Sequence, residues 1–191
     1  MSKKDLIIAL PSESLRAKSR KVSAITDEVR KVIKDMKAAT LDWEASRPHE
    51  VGVALAAIQI DQPYKIIAIR NNFDNKKNRT FSVFINPQII KAEGDVSEDF
   101  EGCLSVKDIY GKVPRFSRVR MKALNENGQP VRVRAEGFLA RVIQHEVDHL
   151  NGKLFVDLIE GKKEAFYRLG EEGKLISMDY EDVTKSHIFR T

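Results

Sequence analysis

The sequence is short of the residues that would place it among several common protein classes. One cysteine, Cys103, stands in 191 residues, so no intramolecular disulfide can form and a secreted disulfide scaffold is excluded. No apolar run approaches the roughly 18–20 residues that span a bilayer; the longest cover residues 6–10 and 51–58. The start, Met1-Ser2-Lys3-Lys4-Asp5, leads into a short apolar stretch that ends at Pro11, too brief for a secretory h-region. Strong charge of one sign is missing too. Lys and Arg number 33 against 28 Asp and Glu, a net +5, and these charges are scattered without interleaved aromatics. That excludes a dedicated DNA-binding arm and leaves room for an anionic partner. A cytoplasmic protein with a reduced thiol and no membrane contact is the expectation.

What is present suffices for a folded core. Hydrophobic residues make up 42% and charged residues 32%, which excludes a disordered chain. With no internal repeat and no long Gly/Ser/Pro-rich linker, residues 1–191 are expected to form one domain. A helix is predicted over residues 26–46, with Thr26 as N-cap, Asp27 and Glu28 in the first turn and Pro48 as its stop. Val29, Val32, Ile33, Met36, Thr40 and Trp43 share one face of it. Residues 65–69, 80–85 and 88–92 read as strands, with a polar loop at 71–78 and an interruption at Asn86-Pro87. Residues 118–125 and 131–136 alternate around the turn Glu126-Asn127-Gly128-Gln129, a hairpin pattern. After Gly137 the period becomes helical, with Leu139, Val142, Ile143 and Leu150 on one face and Gly152 in the C′ position. A last helix is expected over residues 161–171, with Ala165, Phe166 and Leu169 as its apolar side, and no element is assigned to residues 174–191. The fold class is α+β: antiparallel β-sheets packed around the second helix, with one helix N-terminal and one C-terminal to them.

The sharpest local feature is His145-Glu146-Val147-Asp148-His149. Residues i and i+4 of a helix project from one face, so both imidazoles can reach one metal ion. Glu146, about a hundred degrees around the helix, can serve a water on that ion without being a ligand. The plainer reading is an exposed helix with two histidines. A catalytic tetrahedral site needs a third protein ligand. Downstream, His187, Glu160 and Glu164 are available but sit in no recognisable motif. Upstream, Cys103 lies in Glu101-Gly102-Cys103-Leu104-Ser105, where the glycine permits close backbone approach. A lone cysteine is more often a small buried hydrophobe. In the small-residue stretch Gly52-Val53-Ala54-Leu55-Ala56-Ala57-Ile58-Gln59, the amide of Gln59 emerges from an apolar run, and by itself it reads as a packed segment ending in a polar group.

Together these three stretches resemble the peptide deformylase family, over roughly residues 10–160. Glu101–Ser105 and Gln144–His149 match two of the family's motifs without departure, and residues 52–59 match the third except that Ala54 stands where a second glycine is usual. The resemblance implies that Cys103, His145 and His149 bind one divalent metal ion, physiologically Fe2+, with Zn2+, Ni2+ or Co2+ able to take its place. It implies hydrolysis of the N-formyl group of nascent formylmethionyl polypeptides, with release of formate. Glu146 would manage the protons, while the Gln59 amide and the backbone N–H of Leu104 would stabilise the oxyanion. The methionine side chain would enter a pocket walled by Phe138, Val142 and the stem of Arg141, the Arg141 charge reaching water, with Glu101 and Gly102 opposite. Gly52, Val53 and Ala54 would pair with the substrate backbone as an added strand. A positive φ at Ala54 would cost about 1 kcal/mol. Basic residues from Lys162 to Lys174 are the candidates for a transient ribosome contact. Two other readings stay open at this stage: a zincin-type endopeptidase with a downstream third ligand, and a binding module without activity.

Overall fold

The computed structural model describes residues 2–47 and 49–189. Thr26 caps helix α1 (Asp27–Ala45), its hydroxyl oxygen accepting from the Val29 N–H at 3.4 Å. Val29, Val32, Ile33, Met36 and Thr40 are buried on the expected face, and Trp43 is half-buried. Pro48, the expected stop, lies outside the described residues. The helix ends three residues earlier, where the Ser46 N–H turns back to the Trp43 carbonyl at 3.0 Å.

The strands are β1 (Ala54–Ala56), β2 (Ile66–Arg70), β3 (Phe81–Cys103), β4 (Val106–Leu124), β5 (Pro130–Glu136), β6 (Phe166–Leu169) and β7 (Leu175–Ser177). They form a single antiparallel sheet in the order β1-β2-β3-β4-β6-β7, with β5 also on β4, instead of the several sheets expected. Strand length is the reason. The 19 residues of β4 serve different partners at their two ends, residues 118–124 pairing with β5 while Tyr110 and Gly111 pair with β6. Likewise Asn86-Pro87 does not end a strand. Asn86 takes φ +52°, the register shifts there, and its side-chain amide bonds the Val22 N–H and carbonyl, so β3 runs on through a bulge.

Helix α2 (Gly137–His149) and α1 sit on opposite faces of the β1–β2 end. Side chains alternate across these strands: Leu55, Ile66 and Ala68 join the α1 core, while Ala54, Ala56, Ile67 and Ile69 join the α2 core. That is why residues 51–58 read as an unbroken apolar run. Arg70, only 2% exposed, ends β2. Its guanidinium donates to Glu44 at 2.5 Å and to the carbonyls of Asn78 and Lys76 at 2.8 and 2.9 Å. Glu44 also accepts from the Gly52 N–H at 3.0 Å, tying the start of the β1 segment to α1. No described helix is long and apolar enough to cross a membrane.

Three further expectations are corrected. Leu139 lies 40% exposed, because the buried face of α2 is carried by Ala140, Ile143 and the site residues instead. Residues 161–171 hold no long helix: a 3-10 turn (Lys163–Ala165) passes into β6, which pairs with β4 and with β7. Phe166 fills a third core beside Phe155 and Ile159, and this long-range packing outweighs the local helical spacing. The C-terminal helix is α3 (Tyr180–Lys185), within the stretch to which no element had been assigned. The tail docks through the buried Val183 and Ile188.

Gly152 takes φ +72°, two positions past the helix cap, and a Cβ there would lie 2.2 Å from the Arg16 carbonyl oxygen. Backbone cannot yield as a side-chain tip does. Gly152→Ala is therefore expected to lower unfolding free energy by about 2–4 kcal/mol in urea titrations, a loss below about 1 kcal/mol contradicting the packing described.

Candidate active site

The site assembles where the end of β3 meets α2 and the 3-10 turn Ala57–Ile60 after β1. The turn buries Gln59 to 1% exposure, its Oε1 accepting from the Ala56 N–H at 2.8 Å. Its Nε2 then has a fixed direction, 3.1 Å from Ser105 Oγ and 3.5 Å from Cys103 Sγ. An amide that read as the end of a packed segment is thus a donor held beside the cysteine. Gln144, on α2, donates to the Phe116 carbonyl at 2.9 Å and accepts from the Phe116 N–H at 3.2 Å, locking the helix to β4.

Cys103, His145 and His149 come together as the one group of three such donors among the described residues, their ligand atoms all within 4.8 Å of one another. His149 Nε2 is 3.3 Å from Cys103 Sγ and 3.2 Å from His145 Nε2. His145 Nδ1 is 2.9 Å from Glu101 Oε2, which takes its N–H and turns Nε2 inward. Burial alone would lower the His145 pKa, but Cys103 and Glu101 raise it well above the ordinary imidazole value; burial and the positive charge of His145 push His149 well below it. Cys103 and Glu101 thus favour positive charge at the position where a cation would satisfy all three donors. A thiolate with two imidazoles suits a borderline divalent ion in tetrahedral geometry with one open position. The downstream alternatives Glu160, Glu164 and His187 are exposed and join no such group.

Glu101 is the hub of the surrounding charges. Its carboxylate receives Arg115 at 2.9 and 3.1 Å and Arg141 at 2.8 Å, and Arg115 also reaches Asp148 at 2.5 Å. Burial would raise the Glu101 carboxyl, yet the His145 hydrogen bond and charge, followed by those of Arg115, hold it at about 2. Arg141 corrects an expectation: it is 5% exposed, and its guanidinium bonds Glu101 and the carbonyls of Val113 and Ser97 without reaching water. A buried carboxylate two residues before the cysteine made an inward charge the better-satisfied arrangement. Arg115 and Tyr110 escaped the sequence reading because nothing local marks them; Glu101 stood in the motif without a distinguishing sign.

Beside the cluster opens a cavity of about 330 Å³. Val53, Ala54, Gln59, Glu101, Gly102, Cys103, Leu104, Phe138, Arg141, Val142, His145 and Glu146 all contribute to its lining. Gly52 and His149 do not: Gly52 packs on the Thr40 backbone, and His149 lies behind the cluster at 1% exposure. Trp43, Phe100 and Tyr110, which sequence reasoning did not select, complete its apolar walls. Ala54 lies in β1 with no positive φ, so alanine meets no backbone strain there. Burial pushes the Glu146 carboxyl up to about 7, and its Oε2 has no partner. Such a group can take a proton and return it near neutral pH.

A sequence model described as polypeptide deformylase matches residues 4–165. A peptide deformylase of Halothermothrix orenii is 43% identical over 83% of this chain and 90% of its own length. One from Buchnera aphidicola is 35% identical over 90% and 96%. Among solved structures, a Synechococcus elongatus peptide deformylase in complex with actinonin superposes with TM-score 0.71 at 38% identity, over 80% of this chain and 76% of that one. A Legionella pneumophila peptide deformylase gives 0.70 at 38% identity, over 80% and 83%.

Removing the hub is expected to act on the cluster. Glu101→Ala leaves His145 Nδ1 without its acceptor and should weaken divalent-metal affinity about 10–100-fold in competition titrations. Unchanged affinity would mean that Glu101 does not orient the ring.

Proposed function

The chain belongs to the polypeptide deformylase family, and from that premise we propose that it hydrolyses the N-formyl group of nascent formylmethionyl polypeptides, releasing formate. The observation carrying this reading is the convergence of Cys103, His145 and His149 beside an unpartnered, buried Glu146 at the wall of an apolar cavity. We read α2 as the central helix of the fold, carrying His145, Glu146 and His149, and residues 1–191 as one catalytic domain. The unbroken hydrogen-bonded path of the sheet from β1 to β7 supports the latter.

Cys103 Sγ and the Nε2 atoms of His145 and His149 hold the metal in this reading. Fe2+ is the physiological ion assigned, with Zn2+, Ni2+ or Co2+ as occupants of isolated protein. When bound, such an ion acts as a Lewis acid and makes a water nucleophilic near neutral pH. The chain's own residues supply the rest. Ala54, on the sheet's edge strand, offers backbone to the substrate, while the Val53 carbonyl accepts from the Arg70 N–H at 2.8 Å and holds the strand, and Gly52 fixes its approach from α1. Phe138 and Val142, facing Gly102, wall the space for the methionine side chain, while Arg141 and Glu101 neutralise each other behind it. Gln59 Nε2 and the Leu104 N–H donate to the oxygen that gains charge as water adds to the formyl carbon. Glu146 takes the proton from that water and delivers it to the amide nitrogen as the C–N bond breaks, leaving formate and a free amino terminus.

A free Cys103 fits a reducing, cytoplasmic setting. The exposed Lys162, Lys163 and Lys174 are the groups we assign to a transient ribosome contact. Lys162 and Lys174 already sit 3.2 and 2.9 Å from Glu98 and Glu172, so such a contact would be salt-sensitive.

The test is formate release from a formyl-methionyl peptide by metal-loaded protein. Turnover is expected, falling about 10²–10⁴-fold in Glu146→Ala. No formate from wild type carrying bound metal would overturn the reading and favour a peptide-binding module.

A further inference from the structure

The sequence match to the family stops at residue 165, and the residues that follow it form a β-hairpin that reaches the same cavity. Leu169 on β6 and Leu175 on β7 are direct cross-strand partners, and both line the cavity. Two contacts hold the hairpin across the cleft. At its base, the Tyr167 ring meets Phe100 edge-on at a centroid distance of 4.9 Å, beside Glu101 and Gly102. At its tip, Gly173 (φ +74°) abuts His49, where a Cβ would lie 3.3 Å from the ring Nδ1, in the loop leading to the β1 edge. The hairpin therefore bridges from the β3 side of the cleft to the β1 side.

The part of the cavity that the hairpin lines is mainly apolar. Its one carboxylate, Glu50, is engaged by the Tyr110 hydroxyl and by the Arg47 guanidinium at 3.1 Å. Beside His49, whose ring borders this part, Val51, Leu169 and Leu175 are left as its uncommitted apolar surface. A substrate whose formylmethionine sits beside Glu146 and whose backbone follows β1 must lead its next residues toward this wall. Resting on the deformylase reading above, we propose that the β6–β7 hairpin is the specificity wall for the residues following formylmethionine, Leu169 and Leu175 receiving an aliphatic side chain from the second or third of them. Ile176, the residue after Leu175 on β7, alternates to the outer face and lies 45% exposed.

The experiment compares kcat/KM for formyl-Met-Leu-Leu-amide with that for formyl-Met-Ala-Ala-amide. Wild type is expected to favour the leucine peptide. In Leu169→Ala/Leu175→Ala that preference should fall about tenfold, chiefly through KM of the leucine peptide, since the lost contact is apolar burial. Ile176→Ala, a change in the same hairpin but off the wall, should keep the wild-type ratio. An unchanged ratio in the double variant, or an equal shift in Ile176→Ala, would overturn the proposal while leaving deformylation standing. Absence of turnover of either peptide by metal-loaded wild type would overturn the deformylase reading and this proposal with it.

Discussion

One buried carboxylate, Glu101, decides how the site can be built. It lies near the end of β3 and faces a guanidinium from β4, a guanidinium from α2 and an imidazole from α2. Each of those groups alone would be expensive to bury; Glu101, with Asp148 as the second acceptor of Arg115, balances the two guanidiniums and fixes three elements in register. Cys103, two residues further along the strand, inherits its position from this arrangement, and so does the inward tilt of His145. The arrangement is also unforgiving, since truncating a partner inside such a network typically costs about 3–5 kcal/mol through the charge left behind.

The sheet delivers the remaining groups. Because β1 and β2 are apolar on both faces, α1 and α2 clamp them from opposite sides and leave little freedom for the turn that follows β1. Gln59 sits in that turn, with its carbonyl oxygen spent on the Ala56 N–H, so that only its NH2 remains to face the cysteine. Rigidity of this kind suits the oxyanion role proposed for Gln59, because reorientation during the reaction would consume much of its effect. The 3.1 Å contact to Ser105 belongs to the same design.

Much of this was legible in the sequence, for reasons that differ by element. Helix α1 announced itself through Thr26, the acidic first turn and a long apolar face, all local signals that the tertiary structure did not contradict. The β4–β5 hairpin was carried by alternation and by the turn from Glu126 to Gln129, which the structure closes through Asn125, whose Oδ1 accepts the N–H groups of Asn127 and Gln129. Cys103 and the two histidines could be grouped only through motif resemblance, because the spacing of about forty residues says nothing of proximity. The 161–171 segment misled because Ala165, Phe166 and Leu169 suit a helical face, whereas Phe166 is held by β4, more than fifty residues upstream. Arg141 misled for a related reason. Its partner Glu101 is distant in sequence, and an arginine read without its partner is naturally sent to water.

Arg70 has a consequence for how this chain can change over time. Its guanidinium grips the 71–79 loop by the carbonyl oxygens of Lys76 and Asn78 and holds Glu44, which in turn receives the Gly52 N–H. Those loop contacts belong to the main chain, whichever side chains the loop displays. Substitution at Lys76 or Lys77 can therefore drift with little structural penalty, provided the loop keeps its length. A single inserted residue, by contrast, would move both carbonyls off the guanidinium and transmit the error through Glu44 to the start of the β1 segment. Tolerance here is to identity and intolerance to length, a combination that would leave its mark as a variable segment without gaps among the nearest relatives.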